Sequence, residues 1–158
     1  MTSGGSRPRA FDVIVYGGLA AGLLDIVNAT TFWFLYNGAP PRLILQSIAA
    51  GLLGKDAFGG GAGTAALGLF LHFFIAGGMA AVYWLACRRW PVLLRKPVAS
   101  GTAYGIAAYL AMTYVVVPLS QAAPPPFILS WFIDSVLAHV VLVGLLLAFV
   151  ARWSANRR

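Results

Sequence analysis

The stretch GLFLHFFIAGGMAAVYWLA, from Gly68 to Ala86, is almost continuously apolar and carries a single histidine, His72. An α-helix needs about 20 apolar residues to cross the hydrocarbon core of a bilayer, and this stretch is close to that length. The whole chain has the same character, because 60% of its 158 residues are apolar and only 9% are charged. Soluble proteins carry more charged residues than this. The stretch therefore predicts a transmembrane helix.

Three further apolar runs of similar length lie outside this stretch, one before it and two after it. All four are continuous rather than alternating, and such a run can satisfy its backbone in lipid only as a helix. The sequence thus predicts an all-α, polytopic membrane protein, a single membrane domain over residues 1-158 built as a four-transmembrane-helix bundle. The predicted spans cover about residues 13-36, 63-86, 98-117 and 127-150.

Basic side chains are distributed unequally between the two sides of the predicted membrane. Only Arg42 and Lys55 lie on one side. The other nine of the eleven lie on the side of the termini, namely Arg7, Arg9, Arg88, Arg89, Arg95, Lys96, Arg152, Arg157 and Arg158. Because short cytoplasmic loops keep positive charge, both termini are predicted to be cytoplasmic. No nucleic-acid partner is predicted, since no basic stripe interleaved with aromatic residues lies outside the membrane ends.

The connection between the first two spans, residues 37-63, is the one long loop in the sequence. Pro40 and Pro41 suit the start of a helix, and a mostly apolar segment continues to Leu53. A segment of about 12 residues is too short to cross a bilayer. We therefore expect a short helix over about residues 41-53 that is interfacial or re-entrant in the first outer loop.

Small residues recur at four-residue spacing on three of the spans. Membrane helices associate through close packing, because lipid is as apolar as leucine, and small residues let two backbones approach. The sequence predicts helix contacts at three such pairs, Gly18 with Gly22, Ala76 with Ala80, and Gly101 with Gly105. These pairs predict a compact bundle.

Polar and ionisable side chains occur deep inside the predicted spans. At about 1.5 Å per residue, Asp25 and His139 lie about 16 and 18 Å from the outer ends of their spans, and His72 about 12 to 14 Å. Ionisable groups at such depth cost several kcal/mol unless they face the bundle interior and find partners. We therefore predict a buried polar centre made of Asp25, Asn28, His72 and His139, with Tyr109 and Thr113 as further partners.

The other three carboxylates are left outside this centre. By the same count Asp134 lies at a depth of about 10 Å, which separates it from Asp25 by about 6 Å. An intramembrane aspartyl pair of Asp25 and Asp134 is therefore disfavoured. Asp12 and Asp56 fall at the membrane surfaces, where we expect them to be solvated.

Enzyme motifs are missing from the sequence, so an enzymatic role is disfavoured. The chain contains no glutamate, which excludes an HExxH zinc site and a glutamate-based acid and base pair. It has no P-loop, no CxxC and no GxSxG elbow either. Cys87 is the only cysteine, which excludes an intrachain disulfide, and we interpret it as structural.

The layout from Leu67 to Arg158 resembles the uncharacterised bacterial inner-membrane proteins of the YagU type. The resemblance rests on His72 in an apolar helix, the basic turn with Trp90-Pro91, and the helix through Gly101-Thr102-Ala103-Tyr104-Gly105. It continues through Pro118-Leu119, the prolines Pro124-Pro125-Pro126 and a last helix with His139. It implies a small four-span protein of a bacterial inner (plasma) membrane and brings no chemistry to particular residues.

Three functions remain open for such a protein. The first is a structural or interaction role, for instance as an accessory subunit, in which the polar centre specifies packing and no cofactor is bound. The second is a small transporter or proton-linked permeation unit, because ionisable residues inside membranes mark pathways. The third is a haem b protein ligated by His72 and His139, which lie on two helices that run in the same direction. The expected partners are the lipid bilayer and either further copies of the chain or a larger membrane complex.

Overall fold

The computed structural model describes residues 7–123 and 126–157, and over these ranges it contains only helices, turns and irregular connections. Four helices are long and apolar enough to cross a membrane, namely α1 (Asp12–Asn37), α3 (Gly61–Arg89), α5 (Pro97–Leu119) and α6 (Leu129–Asn156). Two shorter helices are α2 (Pro41–Leu53), before α3, and α4 (Val92–Arg95), before α5. The predicted all-α class is confirmed, and so is the prediction of four helices long and apolar enough to span a membrane. Pro124, Pro125 and Arg158, which the sequence analysis used, lie outside the described residues.

Large apolar side chains point away from the bundle along the spans. Leu35 on α1 is 77% exposed, and Phe70 and Phe74 on α3 are 65% and 70% exposed. A soluble protein rarely presents apolar patches of this extent to water. The surrounding medium that fits this surface is the hydrocarbon of a bilayer.

The half of the bundle next to the termini, which we call the inner half, is tightly packed. Its core brings together side chains from α1, α3 and α6, among them Val13, Tyr83 and Leu147, each at most 1% exposed. Two tyrosines satisfy their hydroxyls here, because Tyr104 donates to the carbonyl oxygen of Met79 at 2.6 Å and the hydroxyls of Tyr83 and Ser100 lie 3.0 Å apart. The inner half therefore forms a packed core to which all four spans contribute.

The two ends of the described chain meet in the inner half. The hydroxyl of Ser154, which is fully buried, donates to the Asp12 carboxylate at 2.6 Å and accepts a hydrogen bond from the backbone N–H of Arg9 at 2.9 Å. Our expectation that Asp12 is solvated is wrong, because Asp12 is only 8% exposed. The last helix continues past the predicted end at Val150 to Asn156, since Ala151 and Ser154 on its inner face pack into the core.

Helices α5 and α6 approach each other through glycines. A Cβ at Gly105 would come within 2.5 Å of the His139 carbonyl oxygen, and one at Gly101 would come within 2.8 Å of the Gly144 carbonyl oxygen. A Cβ at Gly144 would in turn collide with the Gly101 carbonyl oxygen. Gly18 on α1 faces Gly77 on α3 in the same way, since a Cβ at Gly18 would lie 3.1 Å from the Gly77 Cα. Gly101 and Gly105 therefore make the close contact that their spacing predicts.

The first outer loop is held against α3. Gln46 on α2 is 3% exposed, and its amide donates to the Gly61 carbonyl oxygen at 3.0 Å and to the Thr64 hydroxyl at 3.2 Å. The turn into α3 is tight, because Gly61 has a φ of +60° and Thr64 donates to the Ala57 carbonyl oxygen at 2.6 Å. Helix α2 matches the predicted residues 41-53, whereas its depth relative to a membrane stays a prediction.

Candidate functional site

Asp25 and His72 lie side by side where α1 crosses α3. The Nε2 atom of His72 is 2.8 Å from the carbonyl oxygen of Gly22 and 4.0 Å from Oδ2 of Asp25. A carbonyl oxygen only accepts hydrogen bonds, so Nε2 carries the hydrogen and donates it to Gly22. At 4.0 Å the carboxylate is beyond hydrogen-bond length from the same nitrogen. His72 is therefore anchored on the backbone of α1, and Asp25 stays available to other partners.

Asn28 connects α1 to α6. Its side-chain nitrogen donates to Oδ2 of Asp134 at 2.8 Å, across 106 positions of the chain. Asp134 is the residue that the sequence analysis leaves outside the polar centre, and the structure brings it into hydrogen-bond contact with a member of that centre. The hydrogen bond satisfies one oxygen of a carboxylate that is half-buried inside a span.

His139 and Tyr109 lie together where α5 meets α6. The Nδ1 atom of His139 is 2.9 Å from the carbonyl oxygen of Ser135, one turn earlier on the same helix. In the neutral ring this hydrogen bond leaves Nε2 as an acceptor. The Tyr109 ring, whose residue is 8% exposed, meets the imidazole edge to face with 5.7 Å between centroids. Tyr109 therefore fixes the orientation of the His139 ring.

The half of the bundle that carries α2, which we call the outer half, contains a cavity of about 780 Å³. We name it the outer cavity. Residues of all four spans, of α2 and of the two outer connections line it. All six residues of the predicted polar centre are among them, namely Asp25, Asn28, His72, Tyr109, Thr113 and His139. The polar centre is therefore arranged around open space in the outer half, next to the packed core of the inner half.

Most of the remaining wall of the outer cavity is apolar or aromatic. Trp33 on α1 and Trp131 on α6 both line it, and their ring centroids are 5.2 Å apart. Phe132 also lines it and packs against Tyr109 with 5.9 Å between centroids. Among the described residues that line the outer cavity there is no lysine or arginine. The cavity thus combines aromatic walls with a few polar groups and one carboxylate.

Two stretches of π-helix border the outer cavity. Met112–Val116 in α5 includes Thr113, and His139–Leu145 in α6 begins at His139. A π-helical turn inserts a residue and rotates the side chains that follow it, and such turns are frequent at functional sites. The π stretch of α6 also carries Gly144, which packs against α5. These turns therefore set which side chains of α5 and α6 face the cavity.

The two histidines differ in how well they suit a haem iron. His139 donates Nδ1–H to a carbonyl and keeps Nε2 free, which is the usual arrangement of an imidazole that binds a metal. His72 has its Nε2 engaged with Gly22, so only Nδ1 is free for an iron. Within residues 7–123 and 126–157 no three His, Cys, Asp or Glu side chains group to hold a metal ion. His139 therefore fits iron ligation, and His72 fits it less well.

No protein-family model, no curated protein sequence and no solved structure matches this chain. The interpretation of the site therefore depends on its geometry.

Proposed function

We propose that this chain is a multi-pass protein of a bacterial plasma membrane that binds a small, mostly apolar molecule in the outer cavity. The observation that carries the proposal is a cavity of about 780 Å³ lined by all six polar-centre residues. Ligand pockets of roughly 300–1,000 Å³ combine apolar walls with a few polar groups that orient the ligand. A polar centre that only held helices together has no need of such a space.

The distribution of tryptophan and arginine supports the membrane location and orientation of the chain in this proposal. Trp33 and Trp131 lie in the outer half, whereas Trp84, Trp90 and Trp153 lie near the termini. All three of the latter carry an arginine over the ring, Arg88 at 4.8 Å from the Trp84 centroid, Arg89 at 5.9 Å from that of Trp90 and Arg157 at 4.3 Å from that of Trp153. Tryptophan belts mark both faces of a membrane, and arginine favours the cytoplasmic face. This pattern supports cytoplasmic termini, and the bacterial plasma membrane follows from the YagU-type resemblance.

A structural or interaction role is the second candidate, and two hydrogen bonds between helices favour it. The Asn28–Asp134 bond joins α1 to α6, and the His72–Gly22 bond joins α3 to α1. Polar contacts of this kind hold membrane helices in register. An accessory subunit that packs against other membrane proteins needs these contacts and does not depend on an open cavity.

A small transporter is compatible with the same cavity. The outer cavity reaches the packed core of the inner half, because Ala21 and Val143 both line the cavity and belong to that core. An open outer half above a closed inner half is one state of an alternating-access cycle. Proton flux into proteoliposomes, measured with a pH-sensitive dye and abolished in Asp25→Asn, favours transport. Flux equal to that of protein-free vesicles contradicts transport and leaves ligand binding without transport as the proposed function.

Retention of small molecules by the purified protein tests the proposed function. Ala29 lines the outer cavity, so Ala29→Phe fills part of it, whereas Ala107 is exposed outside the cavity and Ala107→Phe is the matched control. We expect native mass spectrometry from mild detergent to detect small-molecule adducts on the wild type and on Ala107→Phe, and few on Ala29→Phe.

Two results contradict binding in the outer cavity. The first is an equal set of adducts on all three proteins, and the second is the absence of adducts from all three. An absorption spectrum of the same wild-type sample tests the haem alternative. A Soret band that is lost in both His72→Ala and His139→Ala favours haem, and a colourless protein that takes up no added haem removes it.

A further inference from the structure

We propose that the ligand of the outer cavity is a hydrophobic organic cation, held by the Asp25 carboxylate and by the aromatic side chains of the cavity wall. This inference rests on the proposed function and names the chemical class of its ligand. Three features of the cavity carry it, namely its charge, the unused acceptor capacity of Asp25 and the placement of the aromatic rings.

The charge of the cavity wall is opposite to that of the chain. The chain has a net charge of +7, yet the described residues that line the outer cavity include no lysine and no arginine. Asp25 is the one carboxylate among them, and the two histidines are the only groups that can become positive. An anion placed in this space would meet Asp25 without a permanent positive charge to compensate for its lost hydration. The wall therefore favours a cation over an anion.

Asp25 has acceptor capacity that the protein does not use. The nearest nitrogen of a histidine, lysine or arginine among the described residues, Nε2 of His72, is 4.0 Å away and donates its hydrogen to the Gly22 carbonyl oxygen at 2.8 Å. No other side chain of the described residues lies within hydrogen-bond distance of this carboxylate. Its side chain keeps 23% of its surface accessible, and it lines the cavity. A carboxylate in apolar surroundings is stabilised by an opposite charge, and a ligand cation supplies one.

Aromatic rings extend from Asp25 towards the outer end of the cavity. Trp33 lies two turns above Asp25 on α1, which is about 12 Å along the helix axis. Trp131 and Phe132 approach from α6 and line the same space. The faces of aromatic rings attract cations and pack against apolar groups. The cavity therefore suits a molecule whose positive centre meets Asp25 and whose apolar body packs against these rings.

Two probes of the same shape and opposite charge test this inference. The purified protein in maltoside detergent is titrated with tetraphenylphosphonium and with tetraphenylborate by equilibrium dialysis. We expect saturable binding of one phosphonium per chain, at least tenfold tighter than binding of the borate. Asp25→Asn is expected to weaken phosphonium binding at least tenfold and not to weaken borate binding, because the substitution removes only the negative charge that attracts the cation and repels the anion.

Two further variants separate charge from folding. Asp25→Glu keeps the negative charge and is expected to bind the phosphonium within about threefold of the wild type. Asp134→Asn is the matched control, because Asp134 accepts a hydrogen bond from Asn28 and does not line the cavity. It is also expected to stay within about threefold of the wild type. Thermal unfolding of each variant is measured alongside.

The outcomes distinguish this inference from the proposed function. Two results overturn the inference that the ligand is a cation and leave the proposal of cavity binding in place. One is equal affinity for the two probes, and the other is a folded Asp25→Asn that binds phosphonium as tightly as the wild type. A folded Asp25→Glu that binds the phosphonium no more tightly than Asp25→Asn also overturns the inference that the ligand is a cation. If neither probe binds and Ala29→Phe carries the same small-molecule adducts as the wild type, the proposed function fails as well.

Discussion

Ser154 is a single residue that connects the two ends of the chain. Its hydroxyl donates to Asp12 and accepts from the backbone N–H of Arg9, so one buried atom serves as both donor and acceptor. The nearby indole of Trp84 donates to the Pro8 carbonyl oxygen at 3.0 Å, which holds the same N-terminal segment. Ser154 lies two residues after Arg152, and nothing in the sequence indicates its role.

Replacement of Ser154 is expected to destabilise the protein. Ser154→Ala leaves the buried Asp12 carboxylate without its hydroxyl donor, and an unsatisfied buried group costs about 1–3 kcal/mol or more when it is charged. We expect a clear fall in the melting temperature in detergent. Ser130→Ala, at an exposed site on α6, is the control and is expected to leave the melting temperature unchanged. Equal melting temperatures of the two variants would contradict the role of Ser154.

The Asn28–Asp134 contact shows how far sequence reasoning reaches at the scale of single residues. Asn28 lies about 4.5 Å outward of Asp25 along α1, and the same count places Asp134 about 6 Å outward of Asp25. The two residues therefore share a depth, and this signal in the sequence makes them candidates for a contact. Depth does not give the rotation of each helix about its axis. The sequence could thus not tell which of the polar residues at one depth would meet.

At the scale of elements, glycines set the distance between α5 and α6. Gly101 and Gly105 on α5 were predicted as contact residues from their spacing. Their counterpart Gly144 was not, because it stands alone among larger residues and lies in a π-helical stretch. The three glycines let the two backbones touch, and the orientation of His139 depends on the same stretch.

A methyl group at Gly144 is expected to separate these helices. A Cβ there collides with the Gly101 carbonyl oxygen, a backbone atom that cannot rotate away. We expect Gly144→Ala to lower the melting temperature in detergent markedly. Gly78→Ala on α3 is the matched control, because no heavy atom lies within 4 Å of its Cβ position. It is expected to be neutral or stabilising by up to about 1 kcal/mol, since alanine favours helix. A Gly144→Ala protein as stable as Gly78→Ala would show that the contact is dispensable.

The helical class and the presence of four long apolar helices could be predicted from hydropathy alone, because a bilayer forces continuous apolar runs into helices. The start of α2 at Pro41 was predicted from its prolines. The π-helical stretches could not be predicted, since they depend on how neighbouring helices pack. The end of α6 was missed because Ala151 and Ser154 are buried by tertiary contacts, whereas charged Arg152 suggested the membrane surface.

At the scale of the whole molecule, the bundle is packed in its inner half and hollow in its outer half. No sequence pattern predicts a cavity of about 780 Å³, because its volume depends on how four spans and α2 diverge. The polar residues that line it were nevertheless selected from their depth. The depth and polarity of a residue can thus be estimated from the sequence, whereas the volume of a cavity depends on how the helices pack.

The orientation of the molecule is expected to follow from labelling of single cysteines. Cys87 is 1% exposed, so the wild type is expected to react little with a membrane-impermeant maleimide. Lys55 and Arg95 are both exposed and lie at opposite ends of the bundle. In intact cells we expect Lys55→Cys to be labelled and Arg95→Cys to be labelled only after permeabilisation. Labelling in the reverse order would place the termini outside and the outer cavity towards the cytoplasm.

The glycine contacts and the Ser154 hydrogen bonds have a mechanical consequence. They hold the spans together at the inner end, so a ligand that enters or leaves through the outer half need not disturb them. The contact between α1 and α6 that such a movement would strain is the Asn28–Asp134 hydrogen bond. The packed core around Val13 and Leu147, both fully buried, would keep the inner end closed to ions meanwhile.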